Sequence, residues 1–169
     1  MPFDTEIHVN GETLPVHVPI RYTVEDVNAE VLARDAEGTP VLFMKQHGKG
    51  KIFFSLYPLE ADAAARSGVF YKEGMPRYDQ VYRMLADAAG AERAVDTDSP
   101  FVRATEHKID DNKRYVVLIN YSQSPQKANV FVSGGKLTSV YGSEIEDGVL
   151  CLREHDAAIF MYEKGEFPC

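Results

Sequence analysis

His47-Gly48-Lys49-Gly50-Lys51-Ile52-Phe53-Phe54-Ser55-Leu56-Tyr57 is the stretch that decides how the first half of the chain is read. Its glycines punctuate a turn, and a second apolar run, Val41–Met44, lies just before it. Two apolar runs joined by a short Gly-rich link read as an antiparallel hairpin, with aromatics filling its buried face. The same residues invite a phosphate-loop reading. A Walker loop, however, needs Gly-x-x-x-x-Gly-Lys-Ser/Thr opening a helix, so that backbone amides and a helix N-terminus face the phosphates. Lys51 is followed by Ile52 and a strand pattern, so the segment is a hairpin turn.

Working upstream, Ala29–Ala36 is ambiguous on propensity alone, but beside this hairpin it is best read as a third strand. Asn10-Gly11, flanked by Glu6–Val9 and Thr13–Val18, predicts a second hairpin, because both central positions of a type I′ turn need positive φ. Pro15 and Pro19 cannot donate to a ladder, which places that ribbon at an edge. Downstream, Leu59–Ala65 predicts a short helix and Ser67–Gly74 a loop. A longer helix runs from Pro76 to Ala89, with Tyr78, Val81, Tyr82, Leu85 and Ala89 on one face and Gly90 as its stop.

Glu92–Pro100 is polar and aperiodic and reads as a linker. Beyond it the texture changes to short strands: Phe101–Ile109, Arg114–Tyr121, Lys127–Ser133, Leu137–Tyr141, Val149–Leu152 and Ala157–Glu163. Turn signals such as Asp110-Asp111-Asn112, Gly134-Gly135 and Glu146-Asp147-Gly148 separate them, the pattern of an antiparallel sandwich or barrel.

With 44% hydrophobic and 26% charged residues, the composition is that of a globular protein able to supply a core. The net charge of −8 and the scattered Lys and Arg give no nucleic-acid footprint. No apolar run approaches the ~20 residues needed to span a bilayer. The N-terminus, Met-Pro-Phe-Asp-Thr-Glu, lacks a signal-peptide pattern, so the expected location is cytoplasmic unless a native N-terminus has been removed. The two cysteines make a poor disulfide framework: Cys151 reads as a buried small hydrophobe and Cys169 as a free thiol at a frayed end.

Sites for chemistry are sparse. His8, His17, His47, His107 and His155 show no i, i+4 metal spacing and read as partly exposed structural residues. The chain has no Gly-x-Ser-x-Gly elbow, and Cys151 lies mid-strand, a poor setting for an activated thiolate. A glycosidase needs two carboxyl groups at a defined separation in a cleft, and the strand–helix repeats of a (β/α)₈ barrel are missing. Nine Tyr and nine Phe are present without Trp, and Phe53, Phe54, Tyr115 and Phe160 lie in apolar strand patterns that predict core positions. A sugar-stacking platform would need such rings at the surface instead.

The segments Ala-Glu-Val-Leu-Ala-Arg (29–34), Gly-Thr-Pro-Val-Leu (38–42) and His-Gly-Lys-Gly-Lys-Ile-Phe-Phe-Ser-Leu-Tyr-Pro-Leu (47–59) resemble the end of a flavodoxin-like, glutamine-amidotransferase-like domain. That domain follows the catalytic barrel in family-42 β-galactosidases and related clan-A glycoside hydrolases. A helix like Tyr78–Ala89 follows there too. Phe101–Glu106 and Tyr115–Ser122 look like strands of the family's C-terminal β-sandwich, and Asp156–Tyr162 looks like its closing strand. The matching order covers most of residues 26–164.

The resemblance implies an α+β chain. Residues 1–95 would be the last part of the amidotransferase-like unit, and residues 96–169 an antiparallel β-sandwich. In the family the catalytic glutamates belong to the barrel, which has no counterpart here. No catalytic, cofactor-binding or metal-ligating residue is therefore assigned, and no cofactor is expected.

A first unit lacking its parallel strand–helix units should present an open sheet edge or a naked apolar face. The missing barrel, or further copies in a dimer or trimer, would cover it; carbohydrate is a third expected partner, whereas nucleic acid and membrane are not. Three functions follow: a non-catalytic structural and oligomerisation region of a glycoside hydrolase, a carbohydrate-binding module using exposed aromatics, or a small independent enzyme.

Overall fold

The computed structural model describes residues 1–20, 22–24 and 28–165, so Cys169 lies outside the described residues. The chain divides into two compact units. The first holds residues Met1–Val69 and Gly74–Ala91; the second holds Phe70–Glu73 and the chain from Glu92 on. Every strand pairing among the described residues is antiparallel.

The first unit opens with the predicted hairpin, β1 (Phe3–Val9) and β2 (Glu12–Val18). Asn10 at φ 50° and Gly11 at φ 79° form the turn, the left-handed pair that Asn-Gly tolerates at least cost. Strict alternation puts Ile7, Val9, Leu14, Val16 and Val18 on one face, all fully buried. Each contributes about 1.5–3 kcal/mol by leaving water. The ribbon is a two-stranded sheet of its own. One bridge, Ile7 to Asp35, and the Ala36 amide donating to Glu6 O at 2.9 Å tie it to the end of β3 (Glu30–Arg34).

β3 pairs with β4 (Pro40–His47), and β4 with β5 (Gly50–Ser55), in a three-stranded sheet. The Gly-rich segment is the two-residue turn between β4 and β5, with His47 opposite Gly50. The helices α1 (Leu59–Ala65) and α2 (Tyr78–Ala89) complete the unit, α1 against β2 and α2 against β1. Gly90 ends α2 in the left-handed conformation at φ 74°. Tyr78 and Val81 are buried in the core. Tyr82 and Ala89, expected on the same face, are exposed, because the buried stripe is narrower than the sequence pattern.

The second unit is a β-sandwich. One sheet has the order β10-β13-β8-β7 and the other β11-β12-β9-β6. The strands are β6 (Val95–Thr97), β7 (Val102–Lys108), β8 (Lys113–Asn120), β9 (Gln126–Val132), β10 (Gly135–Tyr141), β11 (Ile145–Glu146), β12 (Val149–Leu152) and β13 (Ala157–Lys164). Val102, Val116, Leu118, Ala158 and Phe160 from the first sheet meet Val95, Ala128, Leu150 and Leu152 from the second. All six expected strands are present, shifted by no more than two residues at any end.

Three expectations fail here. The presumed linker carries β6, whose Val95 and Thr97 are buried; three residues are too few to show a period. Cys151 is exposed, not buried, because Leu150 and Leu152 take the inward positions of β12 and leave the residue between them outside. Phe54 and Tyr115, expected in the core, are 58% and 41% exposed. Gly135 is required by contact rather than by turn geometry: a Cβ there would overlap the ring of Tyr162, whose hydroxyl donates to Ser133 O at 2.8 Å.

Candidate functional site

Two surfaces and one apolar groove stand out. The first surface is the free edge of β5, which pairs with β4 on one side and with no described strand on the other. Ile52 is 54% exposed and Phe54 58%, while Phe53 on the opposite face is only partly covered. Unpaired backbone groups flanked by large apolar side chains make a template for another strand. The device that commonly blunts such an edge, a charge, is present only as Lys51. Its ammonium is already engaged with the carbonyl of Ala88 at the end of α2.

Beside this edge lies a groove of about 410 Å³, lined chiefly by Leu42, Tyr57, Leu59, Tyr78, Tyr82 and Leu85. Its polar atoms are paired within the fold. Ser55 Oγ donates to Tyr57 O at 2.6 Å, and the Tyr82 hydroxyl donates to Glu60 at 3.2 Å. Glu60 is the one carboxylate in the lining. Glycoside hydrolysis needs two carboxyl groups about 5–10 Å apart across the sugar, so the groove lacks the machinery for it.

Two buried carboxylates sit deeper in the same unit. Burial pushes the Asp35 carboxyl up, but the Tyr57 hydroxyl at 2.7 Å and the amides of Thr39 and Glu37 hold it below the ordinary carboxylate value. Asp62 takes both a guanidinium fork from Arg66 and the hydroxyl proton of Tyr78. Burial first, and then that hydrogen bond to Asp62, push the Tyr78 phenol well above its ordinary value. Both clusters are closed and satisfied. They fix the β3–β4 turn and the α1–α2 packing rather than waiting for a substrate.

The second surface is the outer face of the β10-β13-β8-β7 sheet. Register assigns the residues, since directly paired positions point to the same side. Tyr141, Ile159, Val117 and Thr105 form one row across the four strands. Thr138, Met161, Tyr115 and His107 form the next. The alternating positions Val116, Leu118, Ala158 and Phe160 fill the core, so these rows face away from it. Tyr141 is 68% exposed and Tyr115 41%. At one end the face closes in an ion-pair cluster, Glu163 between Lys113 at 2.9 Å and Lys136 at 3.3 Å.

The histidines remain apart. His17 contacts Asp4 at 2.8 Å, His8 contacts Thr13 at 3.3 Å and His107 contacts Thr105 at 3.4 Å, all on exposed strand faces. Among the described residues no group of three or more His, Cys, Asp or Glu could hold a metal ion. No described helix is long and apolar enough to cross a membrane. Sequence reasoning missed the outward tyrosines because Tyr115–Ile119 is a nearly continuous apolar run, in which periodicity cannot separate the two faces.

Neither a family model nor a curated protein matches the chain. Solved structures do. Gan42B, a GH42 beta-galactosidase from G. stearothermophilus, superposes with a TM-score of 0.54 at 15% identity. The alignment covers 96% of this chain and 22% of that one. The beta-galactosidase from Bacillus circulans sp. alkalophilus gives 0.55 at 14% identity, over 95% of this chain and 22% of its own. The cold-adapted beta-galactosidase from Rahnella sp. R3 gives 0.50 at 16% identity over the same shares. The chain therefore has the fold of one part, about a fifth by length, of these GH42 β-galactosidases.

Proposed function

We propose that the chain is a non-catalytic structural and assembly region of a β-galactosidase-like glycoside hydrolase. Residues 1–95 are read as the closing part of an amidotransferase-like α/β domain, and residues 96–169 as the β-sandwich that follows it. The observation that carries the reading is the open β5 edge, with Ile52 and Phe54 exposed beside unpaired backbone, in a chain whose fold matches a fifth of the GH42 enzymes. A sheet continued by a neighbouring strand would satisfy those backbone groups and cover both side chains. The closed Asp35 and Asp62 clusters and the single carboxylate of the groove support a scaffold rather than a reacting site.

Hydrogen exchange tests the reading at the level of the edge. In the assembled protein the alternate β5 amides that face away from β4 exchange slowly, and they exchange quickly on dilution below the assembly concentration. Exchange of these amides that is equally fast at all concentrations would contradict it, since an uncovered strand edge protects nothing.

A further inference from the structure

We propose that the outer face of the β10-β13-β8-β7 sheet is a platform for a short oligosaccharide, with Tyr141 and Tyr115 as its stacking rings. Register puts the two rings on the same face, on strands separated only by β13 and two residue positions apart along the sheet, with a β10 bulge between Ser139 and Tyr141. Sheet spacings put their Cα atoms about 12 Å apart, a separation that a short oligosaccharide spans. Between them Ile159, Met161 and Val117 make a flat apolar floor, only partly shielded from water. Thr138 on one flank and Thr105 and His107 on the other supply hydrogen-bonding groups at the rim.

That is the chemistry a pyranose presents: an apolar face of C–H groups bordered by hydroxyls, met by aromatic rings with polar groups at their sides. Area argues against another copy of the chain as the occupant. The apolar floor measures on the order of 200 Å² from strand spacing and rise, whereas a stable protein interface buries about 800 Å² per partner. The charges on this face lie outside the floor: Glu163 sits between Lys113 and Lys136 at one end, and Arg103 lies on β7 opposite Ile119.

Only the choice of a galactose-containing probe rests on the glycoside-hydrolase reading; the platform itself does not. The experiment titrates the whole chain, with tyrosines isotopically labelled, with β-1,4-galactotetraose and with cellotetraose. The Tyr115 and Tyr141 ring signals should shift with a Kd on the order of 1 mM, while buried Tyr57 and Tyr78 stay in place. Tyr115→Ala and Tyr141→Ala, both at exposed positions, should each weaken binding at least about fivefold, and the Phe variants should keep it. Binding of either tetrasaccharide in this pattern supports the proposal.

No shift with either sugar up to about 20 mM, twentyfold above the expected Kd, would overturn it. So would Ala variants that bind as the wild type does, or Ala variants whose main effect is a drop in assembled mass. The β5 edge plays no part in these readouts, so a failure here and a failure of the assembly reading are told apart.

Discussion

The hydroxyl of Tyr57, two residues beyond the end of β5, donates to the buried carboxylate of Asp35 at 2.7 Å. Asp35 also accepts the amides of Glu37 and Thr39, so this single side chain closes the turn between β3 and β4 and anchors the segment that follows β5. Asp35→Ala should destabilise the first unit by about 2–3 kcal/mol, because a buried phenol and two partly buried amides lose their acceptor together. Tyr57→Phe should cost about 1–2 kcal/mol, since the amides remain. Because the folded carboxyl ionises below its ordinary value of 3.8, its contribution is complete above that pH and is lost as the pH falls through the folded value. Urea titrations between pH 3 and 7 check both points: the acid loss present in wild type should shrink in Asp35→Ala.

The pair Tyr78 and Asp62 makes the opposite prediction for alkali. The folded phenol ionises above its ordinary value of 10.0, so its contribution is intact below that pH and is lost as the pH rises towards the folded value. Wild type should therefore lose stability above about pH 10, and Tyr78→Phe should lose less over the same range. Phenolate absorbance in a pH titration, read beside the unfolding curve, should lose one late-titrating tyrosine in the variant, while Tyr82, which burial and Glu60 also raise, still titrates late.

Asn120 is the polar hub of the sandwich. Its amide nitrogen donates to Ser124 O at 2.9 Å and Arg153 O at 2.7 Å, and its oxygen accepts the Ser122 amide at 2.9 Å. The residue is almost wholly buried, so removing its side chain leaves the Ser122 amide without this acceptor and takes a donor from Arg153 O and from Ser124 O, which keeps the Ser122 hydroxyl. Asn120→Ala should cost about 2–4 kcal/mol and lower Tm by several degrees. Asn120→Asp should be no better, because a carboxylate cannot donate to the two carbonyls. Calorimetry of the three proteins decides the matter.

Much of this architecture is legible before folding. Asn10-Gly11 names its own turn, Gly90 its own helix stop, and the spaced turn residues after 101 mark the sandwich. Facing was harder to read. Phe54 and Tyr115 sit in apolar runs without alternation, so nothing local says which side meets the core; that is set by the register with β4 and β13. β6 escaped notice because three residues among polar neighbours carry no period, although Val95 is fully buried. An open edge in the first unit was expected from the sequence; that the edge is β5 depends on which strands lack a neighbour, and topology alone decides that.

The claim that β5 is an assembly edge is tested most directly by light scattering on the intact chain at micromolar concentration. The account predicts a dimer or larger species, reduced towards the monomer by Ile52→Lys together with Phe54→Lys, with the fold retained because both side chains are exposed. A wild-type chain that scatters as a monomer of 18.9 kDa would contradict it.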